Sequence, residues 1–366
     1  MLIANLSEIF VMKLDTFHWT NQLAVFVPNR YSMVWCVDTL IGMVIQCTEG
    51  IERSCNCTGT AQSQSKSIGI ICLTSYKSMS RRLLRSVLFC PADKDKVLLK
   101  SVNLVADAIV YDLEDAVSPQ KKVVARELVS SFLSKQKTTR TRVVRVNCPL
   151  STSWGRDDLR VISSLSIDAL ILPKVESGDS VELANEIIRQ YRGSNIPIWT
   201  MIETAKGVLN APMIAQHSSV ECLVFGSNDL TKDLRAKQTP TREPLLFSMC
   251  QCILAARAAG KRVLDGVHVE FSDLSGLEQS CHQGRALGFD GKTLIHPSQI
   301  DAANAAYSPS NAEVDHARRV VEGWRQAEEA GLGVAVVDGK MVEALHAQEA
   351  QLVLEIVDEI QRCSNI

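Results

Sequence analysis

Between residues 85 and 297 the chain alternates, eight times over, a short apolar run with a stretch of helical spacing. No other feature constrains its folding as strongly. The runs are RSVLFCP (85–91), AIVYDLE (108–114), RVVRVN (142–147), ALILPKVE (169–176), IPIWTMIE (196–203), CLVFGSND (222–229), VLDGVHV (263–269) and KTLIHP (292–297). Segments such as KKVVARELVSSFL and DSVELANEIIRQYR lie between them. Short runs rich in Val and Ile read as strands, and the intervening 3.6-residue period reads as helix. Strands alternating with helices predict a parallel sheet covered by helices. Eight repeats over about 220 residues suit a closed (β/α)8 barrel, a TIM barrel. An open doubly wound sheet is the alternative, but no GxGxxG follows the first strand.

The ends of the chain read differently. Residues 1–80 hold five of the twelve cysteines and the patch TGTAQSQSKS, with weak periodicity. They are expected to form a poorly ordered N-terminal extension. Met79 followed by SRRLLRSVLFCPAD is a natural opening for the catalytic domain, and a translation start there is one expectation. The barrel is assigned to 81–308. After Ser308-Pro309-Ser310 a helix is predicted over 312–330, then a glycine-punctuated turn at 331–340 and a last helix over about 343–361. This C-terminal helical segment, 309–366, is long enough to cover the barrel mouth or to reach a neighbouring subunit.

Composition removes several function classes. With 46% hydrophobic and 22% charged residues the chain can bury a sizeable core. A net charge of −2 lacks the basic excess of a nucleic-acid binder, and 5% aromatics offer no base-stacking platform. The cysteine pairs Cys55/Cys57 and Cys250/Cys252 are CxC, without the spacing or histidines of a zinc site, so reduced thiols are expected. The apolar stretch 31–47 carries Asp38 and is short for a bilayer. It has neither the charged start nor the cleavage site of a secretory signal.

Chemistry collects where the strands end. The second strand finishes in Asp112, Glu114 and Asp115, the third in Arg145 and Asn147, the fourth in Lys174 and Glu176. The fifth ends in Glu203, the sixth in Asp229, the seventh near His268 and the eighth at His296. In a barrel these ends share one face, the catalytic face. Crowded carboxylates imply a solvated turn, or a cation or basic ligand nearby. Glu203 and Asp229, at the ends of consecutive strands, are the expected Mg²⁺ ligands, because two carboxylates plus waters is the usual way to hold that ion. Arg145 offers a planar fork suited to a carboxylate. The alternative is that Arg145 neutralises the surplus acids. Lys96 and Lys100 share a helical face where they could meet phosphates or plain solvent. His296-Pro297 opens a helix.

Those residues carry a resemblance. RSVLFCPA, DLEDAVSPQKKVVAR, RVN, LPKVE, ETAKGVLN, FGSNDL and GFDGKTLIHPSQI, in that order over 82–345, resemble the citrate lyase beta subunit and its relatives in the HpcH/HpaI aldolase superfamily. Within it the chain is most similar to the malyl-CoA and citramalyl-CoA lyase branch. The resemblance implies a Mg²⁺-dependent barrel, often a trimer, that cleaves or forms the C–C bond of a 3-hydroxyacyl-CoA thioester. It implies that Glu203 and Asp229 hold Mg²⁺ and that Arg145 binds the keto-acid carboxylate. It places Phe89, Lys96, Lys100, Ile295 and His296 against the acyl-CoA. Relatives supply a catalytic aspartate from a neighbouring subunit, and Glu343 stands at that position here. Glu114 and Asp115 would lie around the metal's waters.

The implied chemistry is a retro-Claisen cleavage to acetyl-CoA or propionyl-CoA and a 2-keto acid. Glu343, or Asp112 or Glu114 through a water, would carry the protons. The other readings are an aldolase for free pyruvate-derived hydroxy acids, and a non-catalytic subunit docking an acyl-carrier protein. The expected setting is the cytoplasm, with the mitochondrion as alternative; no nucleic-acid or membrane partner is expected.

Overall fold

The computed structural model describes residues 82–136, 140–193 and 195–364, and, of the first 81, five short strands. The chain divides into two units, Met1–Lys77 and Ser78–Ile366. In the first, Leu2–Leu6, Ile9–Lys13 and Ala24–Phe26 form an antiparallel sheet, and Ser32–Met33 pairs with Ile45–Gln46. The rest of that unit, with the disorder expected of it, lies outside the described residues.

The second unit is built on a closed barrel of eight parallel strands. They are β1 (Ser86–Pro91), β2 (Ala108–Asp112), β3 (Thr141–Arg145), β4 (Ala169–Leu172), β5 (Ile198–Ile202), β6 (Val220–Phe225), β7 (Arg262–Asp265) and β8 (Gly291–Leu294). Each pairs with the next in sequence, and β8 closes on β1 through Lys292, Thr293 and Leu294 opposite Ser86, Val87 and Leu88. The predicted strands are these strands.

The side chains obey the two-residue period of a strand. Val87, Val110, Val143, Ile171, Trp199, Met201, Val224 and Leu264 point inward and fill the barrel. Their neighbours Leu88, Ile109, Val144, Leu170, Ile202, Leu223 and Val263 point outward, under the helices. Burying both faces is why these strands read as continuous apolar runs. Each fully buried side chain of this size contributes roughly 1.5–3 kcal/mol.

The covering helices are α1 (Asp95–Ser101), α2 (Lys122–Lys135), α3 (Ser153–Ile162), α4 (Gly178–Arg192), α5 (Ala205–Ala215), α6 (Ser227–Asp233), α7 (Leu246–Ala258), α8 (Leu274–Leu287) and α9 (Ile300–Tyr307). Thr152, Thr204 and Asp273 cap α3, α5 and α8 by accepting the N–H of Gly155, Gly207 and Gly276. Gly207 also lets α5 press on the loop after β4: a Cβ there would sit 2.7 Å from the Val175 carbonyl oxygen. Packing therefore accounts for this glycine.

The tail is α10 (Asn311–Glu329), the hairpin β9 (Ala335–Val337) and β10 (Lys340–Val342), and α11 (Ala344–Ser364). The stretch expected to be a turn is this hairpin. Asp338 and Gly339 both have positive φ, 53° and 73°, as an Asp-Gly hairpin turn requires. Ala317, Val320, Ala327, Val337, Val342 and Ala350 make a small core of their own. The far end of α11 comes near Asp107, just before β2, where that carboxylate helps raise the Cys363 thiol after burial and Glu359. The tail thus reaches the end of the barrel opposite its mouth, and no tail residue lines the cavity described next.

Among the described residues no helix is long and apolar enough to cross a membrane. All seven described cysteines are free thiols.

Candidate active site

A cavity of about 250 Å³ opens at the C-terminal ends of the strands. Phe89, Asp112, Asp115, Arg145, Met201, Glu203, Asp229 and Ile295 line it together with Gly226 and Val267. Seven of the residues expected to carry function are therefore brought together: Phe89, Asp112, Asp115, Arg145, Glu203, Asp229 and Ile295. Glu114 sits directly behind them. Lys96, Lys100 and His296 are exposed and do not line the cavity. His296 caps the turn before α9, accepting the Ser298 N–H at Nδ1, and its ring stacks on Phe271 at 5.0 Å. Glu343 is exposed at the start of α11, where its N–H donates to His346 Nδ1 at 3.0 Å.

The crowded acids of 112–115 have basic partners. Arg145 Nε and Nη2 donate to Asp112 Oδ1 and Oδ2 at 2.8 and 2.6 Å. The same carboxylate accepts the N–H of Glu114 at 2.9 Å and of Ala116 at 3.2 Å. Asp112 thus has four donors and folds its own loop. Lys122 Nζ donates to the Leu113 and Glu114 carbonyls, and Asn147 Nδ2 to the Leu113 carbonyl, so the loop is fastened from beneath. Asp158 holds Asn147 in turn, and is itself gripped by Arg126.

Arg145 both pairs with the acids and lines the cavity. It neutralises acids: besides Asp112, its Nη1 lies 3.0 Å from Glu114 Oε2. It also faces the cavity, with its guanidinium carbon 4.7 Å from the Phe89 ring centroid. Glu114 is 6% exposed, and its Oε2 has no hydrogen-bond partner despite the nearby cation. Burial pushes its carboxyl above the ordinary range, against Arg145 and Lys174.

Lys174 was the least legible member. Its ammonium donates to Glu114 Oε1 at 2.5 Å and its backbone N–H to Glu203 Oε1 at 2.7 Å. Its φ is +53°, a left-handed conformation that costs a residue with a side chain of order 1–3 kcal/mol. Nothing in LPKVE announces a sign of φ; only the basic residue beside so many acids was a hint.

Glu203 is 2% exposed. Burial, then Glu114 and Asp229, push its carboxyl up to about 8, while Lys174 pulls the other way. Its second oxygen lies over Gly226: a Cβ there would come within 2.8 Å of Oε2 and 2.4 Å of the Glu203 Cβ. Glycine at this point is what lets β6 run past the carboxylate to Asp229. The donor set suits a hard divalent cation. Two carboxylates line the cavity, one of them raised in pKa by burial and then by its acidic neighbours, and an orphaned carboxylate oxygen stands behind. Among the described residues there is no cluster of three or more His, Cys, Asp or Glu that would make an all-protein cage. Mg²⁺ is the ion that takes one or two carboxylates and fills its remaining positions with water and substrate.

Comparison with known proteins agrees with this geometry. Residues 85–297 match the HpcH/HpaI aldolase/citrate lyase family. A (3S)-malyl-CoA thioesterase of Cereibacter sphaeroides is 44% identical over 277 residues, 75% of this chain and 95% of the relative. The citrate lyase subunit beta of Escherichia coli is 35% identical over 290 residues, 76% of this chain and 95% of the relative. The crystal structure of CitE from Mycobacterium tuberculosis in complex with magnesium, acetoacetate and coenzyme A superposes with a TM-score of 0.63 at 29% identity, covering 75% of this chain and 97% of that one.

Proposed function

The chain belongs to the HpcH/HpaI aldolase/citrate lyase family, and from that premise we propose that it is a Mg²⁺-dependent carbon–carbon lyase acting on a 3-hydroxyacyl-CoA thioester. Malyl-CoA, citramalyl-CoA and citryl-CoA are the substrates of that class, and an acyl-CoA and a 2-keto acid are the products. The observation that carries the reading is Glu203 and Asp229 side by side in a cavity that also presents Arg145. A complex of a relative with magnesium and coenzyme A supports it.

Glu203 and Asp229 would hold the metal. When bound, Mg²⁺ supplies a Lewis acid and template for the substrate's hydroxyl and carboxylate oxygens. The remaining steps belong to side chains. Arg145, fixed by Asp112, presents the cavity-facing edge of its guanidinium to the keto-acid carboxylate and holds it in one orientation. Phe89 and Ile295 flank the acyl part. Lys96, Lys100 and His296, exposed outside the cavity, meet the coenzyme. A base removes the hydroxyl proton, the carbonyl forms, and the C–C electron pair passes to the thioester as its enolate. That enolate takes up a proton to become the acyl-CoA. Asp112 is fully bonded and Glu114 is paired with Lys174, so Glu343 of a neighbouring copy is the carrier we assign. The assembly is then a homo-oligomer, with a trimer as the expected form, and the setting is the cytoplasm.

The name of the 44% identical relative favours a second reading, hydrolysis of a malyl thioester to the free acid. Product analysis separates the two. Malyl-CoA, citramalyl-CoA and citryl-CoA would each be incubated with Mg²⁺ or excess EDTA, with wild type and Asp229→Ala, and followed by mass spectrometry. Metal-dependent acetyl-CoA or propionyl-CoA with a keto acid establishes the lyase. Free CoA with the intact hydroxy acid establishes the thioesterase. Silence on every ester rejects both.

A further inference from the structure

One residue, Lys174, supplies a contact to each of two buried acids of the site, Glu114 and Glu203, and its backbone is the unusual part. Leu172 of β4 is in register with Thr200 of β5. Pairing next resumes between the Val175 N–H and the Met201 carbonyl oxygen, at 3.2 Å. In this ladder an N–H meets the carbonyl of the residue before its partner, so Val175 stands opposite Ile202, and the stretch through Pro173 and Lys174 carries one residue more than the facing stretch of β5, a bulge in a parallel pair. Bulges re-aim a backbone group out of the ladder and recur beside active sites. Here the group is the Lys174 N–H, which leaves the ladder and points at Glu203 Oε1, 2.7 Å away. The left-handed φ of +53° is what permits this. The side chain then runs to Glu114, whose carboxylate seats the ammonium at 2.5 Å.

Glu203 has no other hydrogen bond from a described residue. Without that N–H, the buried carboxylate could turn about its last bond, and neither oxygen would be reserved for a ligand. With it, Oε1 is occupied and Oε2 is left beside Gly226, toward the strand end that carries Asp229.

We propose that Lys174 is the positioning residue of the metal-binding carboxylate pair, acting through its left-handed backbone: the N–H fixes Glu203 Oε1 so that Oε2 alone is presented, and the ammonium on Glu114 holds the bulge in that conformation. This rests on the Mg²⁺ site proposed above, but it assigns the work to a main-chain group rather than to the lysine's charge on substrate.

The two roles part company in substitution. Lys174→Gly removes the ammonium but favours positive φ. Lys174→Val removes the ammonium and disfavours positive φ. Mg²⁺ affinity by calorimetry, on the full chain without substrate, is expected to fall tenfold or more in Lys174→Val and to stay within about threefold of wild type in Lys174→Gly. Equal losses in both variants overturn the proposal. A second measurement does not need the metal. In the metal-free protein, the unfolding losses of Lys174→Val and Glu203→Ala should be strongly non-additive, because each breaks the same bond. Additive losses overturn the proposal even where Mg²⁺ binds. If wild type takes up no Mg²⁺, the functional reading fails, and the double-mutant cycle alone decides the bond.

Discussion

Arg145 grips Asp112 through two parallel N–H···O bonds, 2.8 and 2.6 Å long, across the ends of the adjacent strands β3 and β2. Both side chains are buried. Breaking a buried pair from one side leaves an uncompensated charge, a cost of about 3–5 kcal/mol. Asp112→Ala is therefore expected to lower stability by that amount in urea unfolding, and to abolish turnover because the loop over 113–116 loses its anchor. A variant as stable as wild type would mean the fork has found another carboxylate, with Glu114 the nearest.

The pH dependence of metal uptake follows from Glu203. Its carboxyl is raised to about 8 in the metal-free protein, chiefly by burial. An acid with a raised folded pKa stabilises the fold fully below its unfolded pKa, and that contribution is lost as pH rises through about 8. Metal binding must displace the same proton. Apparent Mg²⁺ affinity should rise about tenfold per pH unit between 6 and 8, with about one proton released per ion. Calorimetry in buffers of different ionisation enthalpy reads the proton count. An affinity flat over that range would show Glu203 already ionised.

Gly226→Ala tests the close approach of β6. The added methyl would meet Glu203 Cβ at 2.4 Å and Oε2 at 2.8 Å. Since Glu203 is buried, it must shift rather than swing into water. Mg²⁺ affinity should drop by more than tenfold while far-UV circular dichroism stays that of the wild type. Unchanged affinity would place the metal elsewhere.

Glu343 separates chemistry from stability. It is exposed, and an exposed substitution alters stability by about 0.5 kcal/mol or less. Glu343→Gln should therefore melt like wild type and turn over poorly. Asp229→Ala should be inactive too. Mixing the two after dissociation and reassembly should restore part of the activity, because some sites then combine an intact Asp229 with an intact Glu343. No restoration would mean that each copy completes its own site.

The barrel was legible because its strands are buried on both faces, so Val, Ile and Leu crowd into short runs that no surface element would carry. The site was legible for a related reason. Asp112, Arg145, Glu203 and Asp229 each stand where an apolar run stops, and closure of the barrel brings all such stops to one rim. Contacts set by backbone conformation were hidden. The sign of φ at Lys174, the room left by Gly226 and the four donors on Asp112 depend on the path of the chain within single turns. The hairpin at 335–342 had its signal in Asp338-Gly339, but the surrounding glycines made it read as one long turn. The direction of the tail was hidden as well, since α11 reads the same whether it lies over the mouth or beside the base.

The cavity wall has two kinds of residue, and the difference matters for redesign. Asp112, Arg145 and Glu203 are tied to the loops at 113–116 and 173–175, so altering any of them moves backbone as well as charge. Phe89, Met201, Val267 and Ile295 line the same space with far fewer polar ties. Phe89 and Met201 touch Arg145, so Val267 and Ile295 are the two at which the cavity can be resized with the charged residues left in place. The size of the space can thus change at these two positions without moving a loop that holds a carboxylate.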